Sequence, residues 1–347
     1  MRADGVVIGE ILDIQKFIIE MPKVELHVHL EGSIQPETFL KLAKRHKKEL
    51  PADTVEGLRR WFAFTDFRHF LEVYISIASC LKTPEDIELI TREFLQGQAR
   101  QNIVYTEATY TPFTQFTFHG IPFDEQLAAI NSARDWAKDA LGIDMNLTLD
   151  ISRHVSPEDG MVTAKWSAAS IGKGVTALGL GGPEAGNPPE KFVKAFALAK
   201  EAGLLSVPHA GEMAGPESIR SAVRLLSADR IGHGVRCMED AELVAELRDR
   251  KIPLEVCPTS NVCLGLYKSI GEHPVQRMMD AGLVVTINSD DPPLFGTTLT
   301  DELNVCADAF GWGAEDLKWL MGVASEASAS RHSRAGGNPA SFPEQSH

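Results

Sequence analysis

"KVELHVHLEGS", residues Lys23 to Ser33, alternates apolar and polar side chains and places two histidines two residues apart before a Glu-Gly pair. Such alternation predicts a β-strand, in which residues i and i+2 point to the same side. His27 and His29 then present both imidazoles on one face, where two nitrogens can bind one metal ion. A hydrogen-bonded pair of core histidines is the ordinary alternative, so the rest of the chain has to decide between them.

Seven further segments rich in β-branched residues follow, separated by helical patterns, as in parallel βα units. The eight predicted strands are Val24–Leu30, Val104–Tyr110, Met145–Ser152, Val175–Gly182, Leu205–Gly211, Arg230–Val235, Pro253–Pro258 and Val284–Asp290. Eight parallel strands covered by helices predict an α/β fold, a (β/α)8 TIM barrel. Thr83 and Ser156 are predicted to cap helices, and Gly142 and Gly203 to end them.

Residues 36–101 are too long for one crossover, so extra helices are predicted after strand 1. Within this insertion, aromatic residues recur at spacings of three or four and predict one helix face. They are Trp61, Phe64, Phe67, Phe70 and Tyr74. Core packing against the barrel is one interpretation, and an apolar lid formed by the helix around Phe64 to Phe70 is the other.

The chain is expected to form one (β/α)8 barrel domain over residues 1–325. Residues 326–347 are rich in Ser, Ala, Gly and Pro and show no apolar periodicity. That composition predicts a disordered tail.

Charge and composition exclude several classes of partner. With 34 basic and 48 acidic residues the net charge is −14, without the basic stripe that a nucleic-acid partner requires. No segment approaches the roughly 20 apolar residues of a membrane helix, and Glu10, Asp13 and Glu20 interrupt the apolar runs of the N-terminus. The five scattered cysteines suit a reducing compartment. We therefore expect a cytoplasmic protein with a small-molecule partner and no membrane contact, and make no prediction of oligomeric state.

Histidines, acidic residues and two glycines lie at the carboxyl ends of the predicted strands. In a (β/α)8 barrel this face carries the active site. These residues are His27, His29, Glu107, Gly181, Gly182, His209, Glu212, His233, Asp290 and Asp291. The pattern predicts that they converge on one pocket.

Four of these residues form a nitrogen- and oxygen-rich set that suits Zn²⁺ and leaves one position for water. They are His27, His29, His209 and Asp290, and we expect one Zn²⁺ per subunit. A bound Zn²⁺ lowers the pKa of its water to about 7.

Three more residues are predicted to work beside the metal. Glu212, three residues after His209, is placed to exchange protons with a substrate, with a solvated loop carboxylate as the alternative. His233 lies between two glycines that expose its ring to the pocket. The adjacent Asp290 and Asp291 repel each other unless their roles differ, so Asp290 is assigned to the metal and Asp291 to hydrogen bonding, against the alternative of a plain turn.

Five motifs in this order resemble the adenosine deaminase family of zinc-dependent amidohydrolases. They are "PKVELHVHLEGS", "HAGE", "RIGHGVR", "EVCPTSN" and "INSDDP", and the resemblance runs from about Met21 to Ala324. It implies a (β/α)8 barrel in which zinc hydroxide attacks C6 of a 6-aminopurine and ammonia leaves.

The resemblance also implies individual roles. His27, His29, His209 and Asp290 would hold Zn²⁺. Glu212 would protonate N1 of the purine, His233 would orient and deprotonate the zinc-bound water, and Asp291 would meet the substrate near N7. Gly182 would donate its backbone N–H to N3, and Glu31 and His29 would also contact the substrate.

The motifs leave the substrate open. Adenosine deaminases usually read "HLDG" where this chain reads "HLEG", and their aspartate meets the ribose 5′-hydroxyl; adenine deaminases usually have the glutamate, as Glu31 here. Adenine deaminases, however, tend to read "SSE" and "IDHG" where this chain has "GGPE" and "IGHG". Adenosine or a 5′-modified adenosine is therefore the first expectation. Adenine and aminodeoxyfutalosine, a nucleoside with an altered 5′ substituent, are the alternatives.

Three other interpretations compete with this one. A catalytically idle binding barrel would require loss of a ligand or of Glu212. A two-metal amidohydrolase would add a lysine or glutamate ligand at the fourth strand, which here ends "GLGG". A cytidine-type deaminase would carry His-x-Glu and Pro-Cys-x-x-Cys, and "CPTSNVC" has the wrong spacing.

Overall fold

A computed structural model describes residues 13–64 and 66–329. Its eight strands are β1 Lys23–His29, β2 Ile103–Tyr110, β3 Asp144–Ser152, β4 Val175–Gly181, β5 Leu205–Ala210, β6 Ile231–His233, β7 Leu254–Val256 and β8 Val285–Ile287. Each strand pairs in parallel with the next in chain order. A parallel bridge between Val28 and Asp290 brings the last strand back to the first. The predicted (β/α)8 barrel is confirmed.

Helices cover the outside of the barrel. They span Pro36–Arg45, Val55–Phe62, Phe67–Ala78, Pro84–Arg100, Pro112–His119, Phe123–Leu141, Pro157–Ala168, Val193–Ala202, Pro216–Leu225, Ala241–Asp249, Pro258–Cys263, Val275–Asp280, Pro292–Phe295, Leu299–Phe310 and Ala314–Ala327. Short 3-10 helices lie at Pro189–Phe192, Val235–Glu239 and Ile270–Glu272, and residues 13–20 are also helical. Most buried apolar side chains form one cluster that extends from Ile18 to Met321.

The predicted helix boundaries follow from local chemistry. Thr83 and Asp86 form a reciprocal capping box at the helix Pro84–Arg100, and the Ser156 hydroxyl accepts a hydrogen bond from the Asp159 N–H. Gly142 and Gly203 end their helices with φ of 70° and 95°, a left-handed conformation that favours glycine. These four predictions are confirmed.

The predicted single aromatic helix is wrong, because the segment forms two helices, Val55–Phe62 and Phe67–Ala78. The second begins where the Asp66 carboxylate accepts the His69 N–H at 2.9 Å, an N-cap that starts a new helix. Trp61 lies on the first helix and stacks on Phe39. The five aromatic residues therefore do not share one face.

Glu107 does not lie at a strand end in the pocket as predicted. It is buried within β2, where its carboxylate accepts hydrogen bonds from the Tyr105 hydroxyl and the Arg230 guanidinium. The Ala327 carbonyl accepts a hydrogen bond from Arg230, and the Ala329 N–H donates to Glu107. The chain is thus still packed on the barrel beyond the predicted start of the tail at 326, while residues 330–347 lie outside the described residues.

Candidate active site

The four predicted metal ligands lie together at the carboxyl end of the barrel. His27, His29, His209 and Asp290 each offer one ligand atom, and these atoms all lie within 4.8 Å of one another. Nε2 of His29 is 3.2 Å from Nε2 of His209 and 3.3 Å from Oδ1 of Asp290. Nε2 of His27 is 3.6 Å from the same Oδ1. Sequence and structure therefore agree on which residues converge.

Closure of the barrel positions three of these residues. The backbone N–H of His29 donates to the backbone carbonyl of Asp290 at 2.8 Å, and the backbone N–H of Asp290 donates to the backbone carbonyl of His27 at 3.1 Å. Asp290 has a φ of 64°, an uncommon conformation for a residue other than glycine, which the closing hydrogen bonds hold in place. The join between β1 and β8 thus positions three of the four predicted ligands through backbone hydrogen bonds.

The donor set fits a divalent cation. The buried Nε2 of His27 has no hydrogen-bond partner among the described residues, although it faces the cluster. Burial, together with His27 and His29, holds the pKa of His209 well below its ordinary value, so this imidazole stays neutral. Against their burial, neighbouring carboxylates raise the pKa of His27 to about 10 and that of His29 to about 9, so a bound cation would take the place of protons on these two rings. Three imidazoles and one carboxylate are ligands that suit zinc.

A chain of buried charges supports His27 from outside the cluster. Its Nδ1 lies 2.9 Å from Oε2 of Glu255, whose Oε1 accepts a hydrogen bond from Nε of Arg230 at 2.6 Å. Arg230 also binds Glu107, so one buried guanidinium lies between two buried carboxylates. A carboxylate on the outer nitrogen fixes the ring orientation of a metal-binding histidine.

The cluster lies at the inner end of a cavity of about 630 Å³. Seven predicted residues besides His29 line it, namely Gly181, Gly182, His209, Glu212, His233, Asp290 and Asp291. Toward the mouth the lining becomes apolar and increasingly exposed, with Phe67, Leu71, Ile75 and Phe118. His27 and Glu31 are buried and do not line it. Glu31 instead accepts the Thr111 N–H at 2.9 Å through Oε1.

Glu212 lies beside His233, with 3.7 Å between its Oε1 and the histidine Nε2. Burial, with Asp290 and Glu184 nearby, raises the pKa of Glu212 well above its ordinary value. The Glu184 carboxylate accepts the backbone N–H groups of Gly211, Glu212 and Ala214, at 2.7 to 3.1 Å. These three hydrogen bonds hold the loop that presents Glu212.

A hydrogen-bonded relay sets the tautomer of His233. The Val275 N–H donates to Nδ1 of His273, so Nε2 of His273 carries the proton and donates to Oδ1 of Asn261. The Asn261 amide nitrogen then faces Nδ1 of His233 at 3.4 Å and donates to it. Neutral His233 therefore carries its proton on Nε2, toward the cavity. Burial lowers the pKa of His233 to about 3, which keeps the ring neutral.

Glycines make room for the ionisable side chains. A Cβ on Gly32 would lie 1.5 Å from Oδ1 of Asp291, so the glycine after Glu31 leaves the space that this carboxylate occupies. A Cβ on Gly232 would lie 2.7 Å from Cε1 of His27. The glycine beside His233 thus admits the ring of a predicted ligand, a more specific role than close backbone packing.

The residues around the site that were not singled out from the sequence include Asp150, Glu184, Glu255 and Asn261. Asp150, near the end of β3, lines the cavity and is 2% exposed. Its position in a predicted strand was the available signal. Glu184, Glu255 and Asn261 lie inside quoted motifs. Their roles depend on contacts with residues of other strands and loops, which the sequence does not show.

Comparison with known proteins identifies the family. The family model for adenosine deaminase matches residues 22–335. The aminodeoxyfutalosine deaminase of Streptomyces avermitilis is 42% identical over 318 residues, which cover 91% of this chain and 88% of that protein. The chain belongs to the adenosine deaminase family. An adenine deaminase of Vibrio parahaemolyticus is 41% identical, with 87% of this chain and 89% of that protein covered.

Solved structures of the family agree. An adenine deaminase from Arthrobacter aurescens superposes with a TM-score of 0.86 at 31% identity, covering 91% of this chain and 96% of that one. An amidohydrolase from Burkholderia ambifaria with bound Zn gives 0.85 at 28% identity, covering 92% and 91%. As a member of the adenosine deaminase family the protein is a metal-dependent hydrolytic deaminase acting on carbon–nitrogen bonds, and the idle barrel is set aside.

Two further findings bear on the alternatives. β4 ends at Gly181, without the ligand that a two-metal site would add there. Within residues 13–64 and 66–329, no helix combines the length and apolar character needed to cross a bilayer.

Proposed function

We propose that the protein catalyses zinc-dependent hydrolytic deamination of a 6-aminopurine nucleoside whose 5′ carbon carries an extended, largely apolar substituent. The observation that carries the proposal is the cavity, whose 630 Å³ continue from the polar cluster into an aromatic outer half. A bare purine would leave that half empty.

His27, His29, His209 and Asp290 would hold the Zn²⁺. When bound, the ion would act as a Lewis acid and lower the pKa of the water bound to it to about 7. The zinc-bound relative and the fit of the donor set support the choice of metal.

Glu212 would hold the proton that makes the ring reactive. Burial raises the pKa of its carboxyl well above the ordinary value, which favours the acid form that would donate a proton to N1 of the purine. That proton lets C6 accept an electron pair from the attacking oxygen and stays on N1 of the product. The proton on the attacking oxygen passes to the amino group, whose bond to C6 then breaks to release ammonia. The Glu184 carboxylate, through its backbone contacts, would keep Glu212 aimed at the ring.

His233 would act as a donor. In the Nε2–H tautomer that the relay imposes, the neutral ring donates a hydrogen bond into the cavity and has no free lone pair there. The role of a base, predicted from the family resemblance, needs the opposite tautomer. We therefore assign His233 to orienting the attacking oxygen. Asp291 and the N–H of Gly182 would fix the purine at N7 and N3.

The outer half of the cavity would receive the 5′ substituent. Phe67, Phe113 and Phe118 contribute aromatic surface there, and apolar burial is the main source of affinity for such a group. The similarity to an aminodeoxyfutalosine deaminase supports this substrate class.

Adenine is the second candidate. The relative from Vibrio parahaemolyticus supports it, as does Glu31, the residue that adenine deaminases usually carry at this position. Glu31 is buried outside the cavity lining, so it would not contact the sugar of a nucleoside substrate.

Steady-state rates on four substrates test the proposal. Loss of the 6-aminopurine absorbance is followed with aminodeoxyfutalosine, adenosine, 2′-deoxyadenosine and adenine, using zinc-loaded protein. We expect kcat/KM to be highest for aminodeoxyfutalosine and lowest for adenine. If adenine is the best substrate, the proposed nucleoside is wrong and the second candidate replaces it.

A further inference from the structure

Asp150 is a buried carboxylate in the cavity that has no part in the chemistry assigned above. Its side chain is 2% exposed and lines the cavity near the end of β3. Its Oδ1 has no hydrogen-bond partner among residues 13–64 and 66–329. A buried carboxylate without a partner is costly, so the position calls for a ligand group that completes it.

The neighbouring strand is shaped around this side chain. A Cβ on Gly179 would lie 1.9 Å from Oδ1 of Asp150, and a Cβ on Gly181 would lie 2.3 Å from its Oδ2. Both glycines belong to β4, and any larger residue at either position would displace the carboxylate. The "GLGG" end of β4, which offers no metal ligand, therefore leaves the space that the Asp150 carboxylate occupies, and Gly181 lines the cavity beside it.

Asp150 shares its electrostatic surroundings with Glu31 and Asp291. The charges of these three carboxylates all act on the Tyr74 hydroxyl, and His29 is the imidazole that acts most strongly on Asp150. Gly182, the proposed contact of N3, follows directly after Gly181. With N1 of the purine at Glu212 and N3 at Gly182, the sugar on N9 would point away from Glu212, within the cavity that Asp150 also lines.

We propose that Asp150 is a specificity-determining residue that hydrogen-bonds a 2′- or 3′-hydroxyl of the nucleoside sugar. The inference rests on the proposed function and adds the group that recognises the sugar. Glu31 is the competing carboxylate from the sequence, and its Oε2 is also without a partner among the described residues. The Thr111 N–H donates to its other oxygen, however, and the Glu31 side chain does not line the cavity.

The test combines removal of the Asp150 carboxyl from the protein with removal of each sugar hydroxyl from the substrate. Rates are measured for Asp150→Ala and the wild type on adenosine, 2′-deoxyadenosine, 3′-deoxyadenosine and adenine. We expect loss of the contacted hydroxyl to lower the wild-type kcat/KM by about 10- to 100-fold. In Asp150→Ala the same loss should change kcat/KM by no more than about twofold, because the partner is gone.

Three matched variants sharpen the result. Asp144→Ala makes the same change at the other end of β3, where Asp144 pairs with Lys138 on the surface, and should leave all the ratios unchanged. Asp150→Asn keeps the shape and should restore part of the discrimination. Glu31→Gln should show no coupling to either hydroxyl; coupling there instead of at Asp150 would overturn the inference.

Binding to metal-stripped protein provides a second measurement, independent of turnover. Inosine and its 2′- and 3′-deoxy forms are titrated into the wild type and Asp150→Ala, with circular dichroism to verify the fold. Equal discrimination in both proteins would refute the role of Asp150. If the wild type deaminates adenine alone, the proposed function fails, and this titration still decides whether Asp150 binds a sugar hydroxyl.

Discussion

Glu212 shows how burial prepares one residue for chemistry. We predict that Glu212→Gln lowers kcat by at least about 100-fold while the protein retains its zinc, because the amide cannot deliver the proton to N1. Turnover and bound metal are measured on the same preparation. Since the pKa of Glu212 is raised, the acid form is lost as pH rises through that pKa, so wild-type kcat/KM should fall on the alkaline side. Retained activity in the variant would contradict the assignment.

His273 acts at a distance through the relay to His233. We predict that His273→Phe lowers kcat about tenfold with a smaller effect on KM, because Asn261 is no longer held with its amide nitrogen toward His233. Nitrogen NMR of the imidazoles should show the His233 proton on Nε2 in the wild type and a mixture of tautomers in the variant. A wild-type spectrum with the proton on Nδ1 would restore the role of base.

Burial also couples His273 to acid stability. Burial, with His233 and Arg277 nearby, lowers its pKa from 6.5 to about 3. The unfolded state therefore binds a proton that the folded state refuses, and stability falls as pH drops from about 6.5 toward 3. The same His273→Phe variant should lose less stability over this range, as measured by urea unfolding.

At the level of elements, the helices around the cavity mouth decide which 5′ substituent fits. Phe118 and Phe116 lie on one helix and are equally exposed at 44%, but only Phe118 lines the cavity. We predict that Phe118→Ala lowers kcat/KM for aminodeoxyfutalosine about tenfold and leaves adenine unchanged, because apolar contact is lost only with the larger substrate. Phe116→Ala is the control. Equal losses in the two variants would count against an aromatic outer subsite.

The elements also show where sequence reasoning stops. All eight strands were predicted, since alternation and β-branched composition are local signals. The last three strands are shorter than predicted because the chain leaves β geometry early, with positive φ at His233 and Asp290 and a helix that begins at Pro258. The break between the two aromatic helices was missed because periodicity concealed the Asp66 cap. Whether Phe67–Ala78 acts as a lid stays a prediction.

At the scale of the molecule, a series of buried contacts runs from Ala329 to the candidate metal cluster. Ala329 contacts Glu107, Arg230 bridges Glu107 and Glu255, and Glu255 orients His27. We predict that Glu255→Gln weakens zinc affinity by about 10- to 100-fold. Competition with a chromogenic chelator measures this, with the exposed Glu242→Gln as control. Unchanged affinity in a folded Glu255→Gln protein would show that the carboxylate does not support the ligand.

The site residues that could be predicted are those marked by a short stretch of sequence. The four predicted metal ligands and Glu212 could be singled out because each lies beside a strand end within a short motif. Asp150 and Glu255 could not, because their importance arises from which strands become neighbours when the barrel closes. Glu31 shows the reverse: its motif predicted a substrate contact, and the fold places it against the Thr111 N–H, outside the cavity lining.

An internal competition tests the central claim most directly. Zinc-loaded protein is given equal amounts of aminodeoxyfutalosine and adenine, and both deaminated products are followed by mass spectrometry, with Glu212→Gln as the blank. The account predicts that the nucleoside is consumed at least about tenfold faster than adenine, because only it uses the outer half of the cavity. Faster consumption of adenine, or equal turnover by the Glu212→Gln protein, would contradict it.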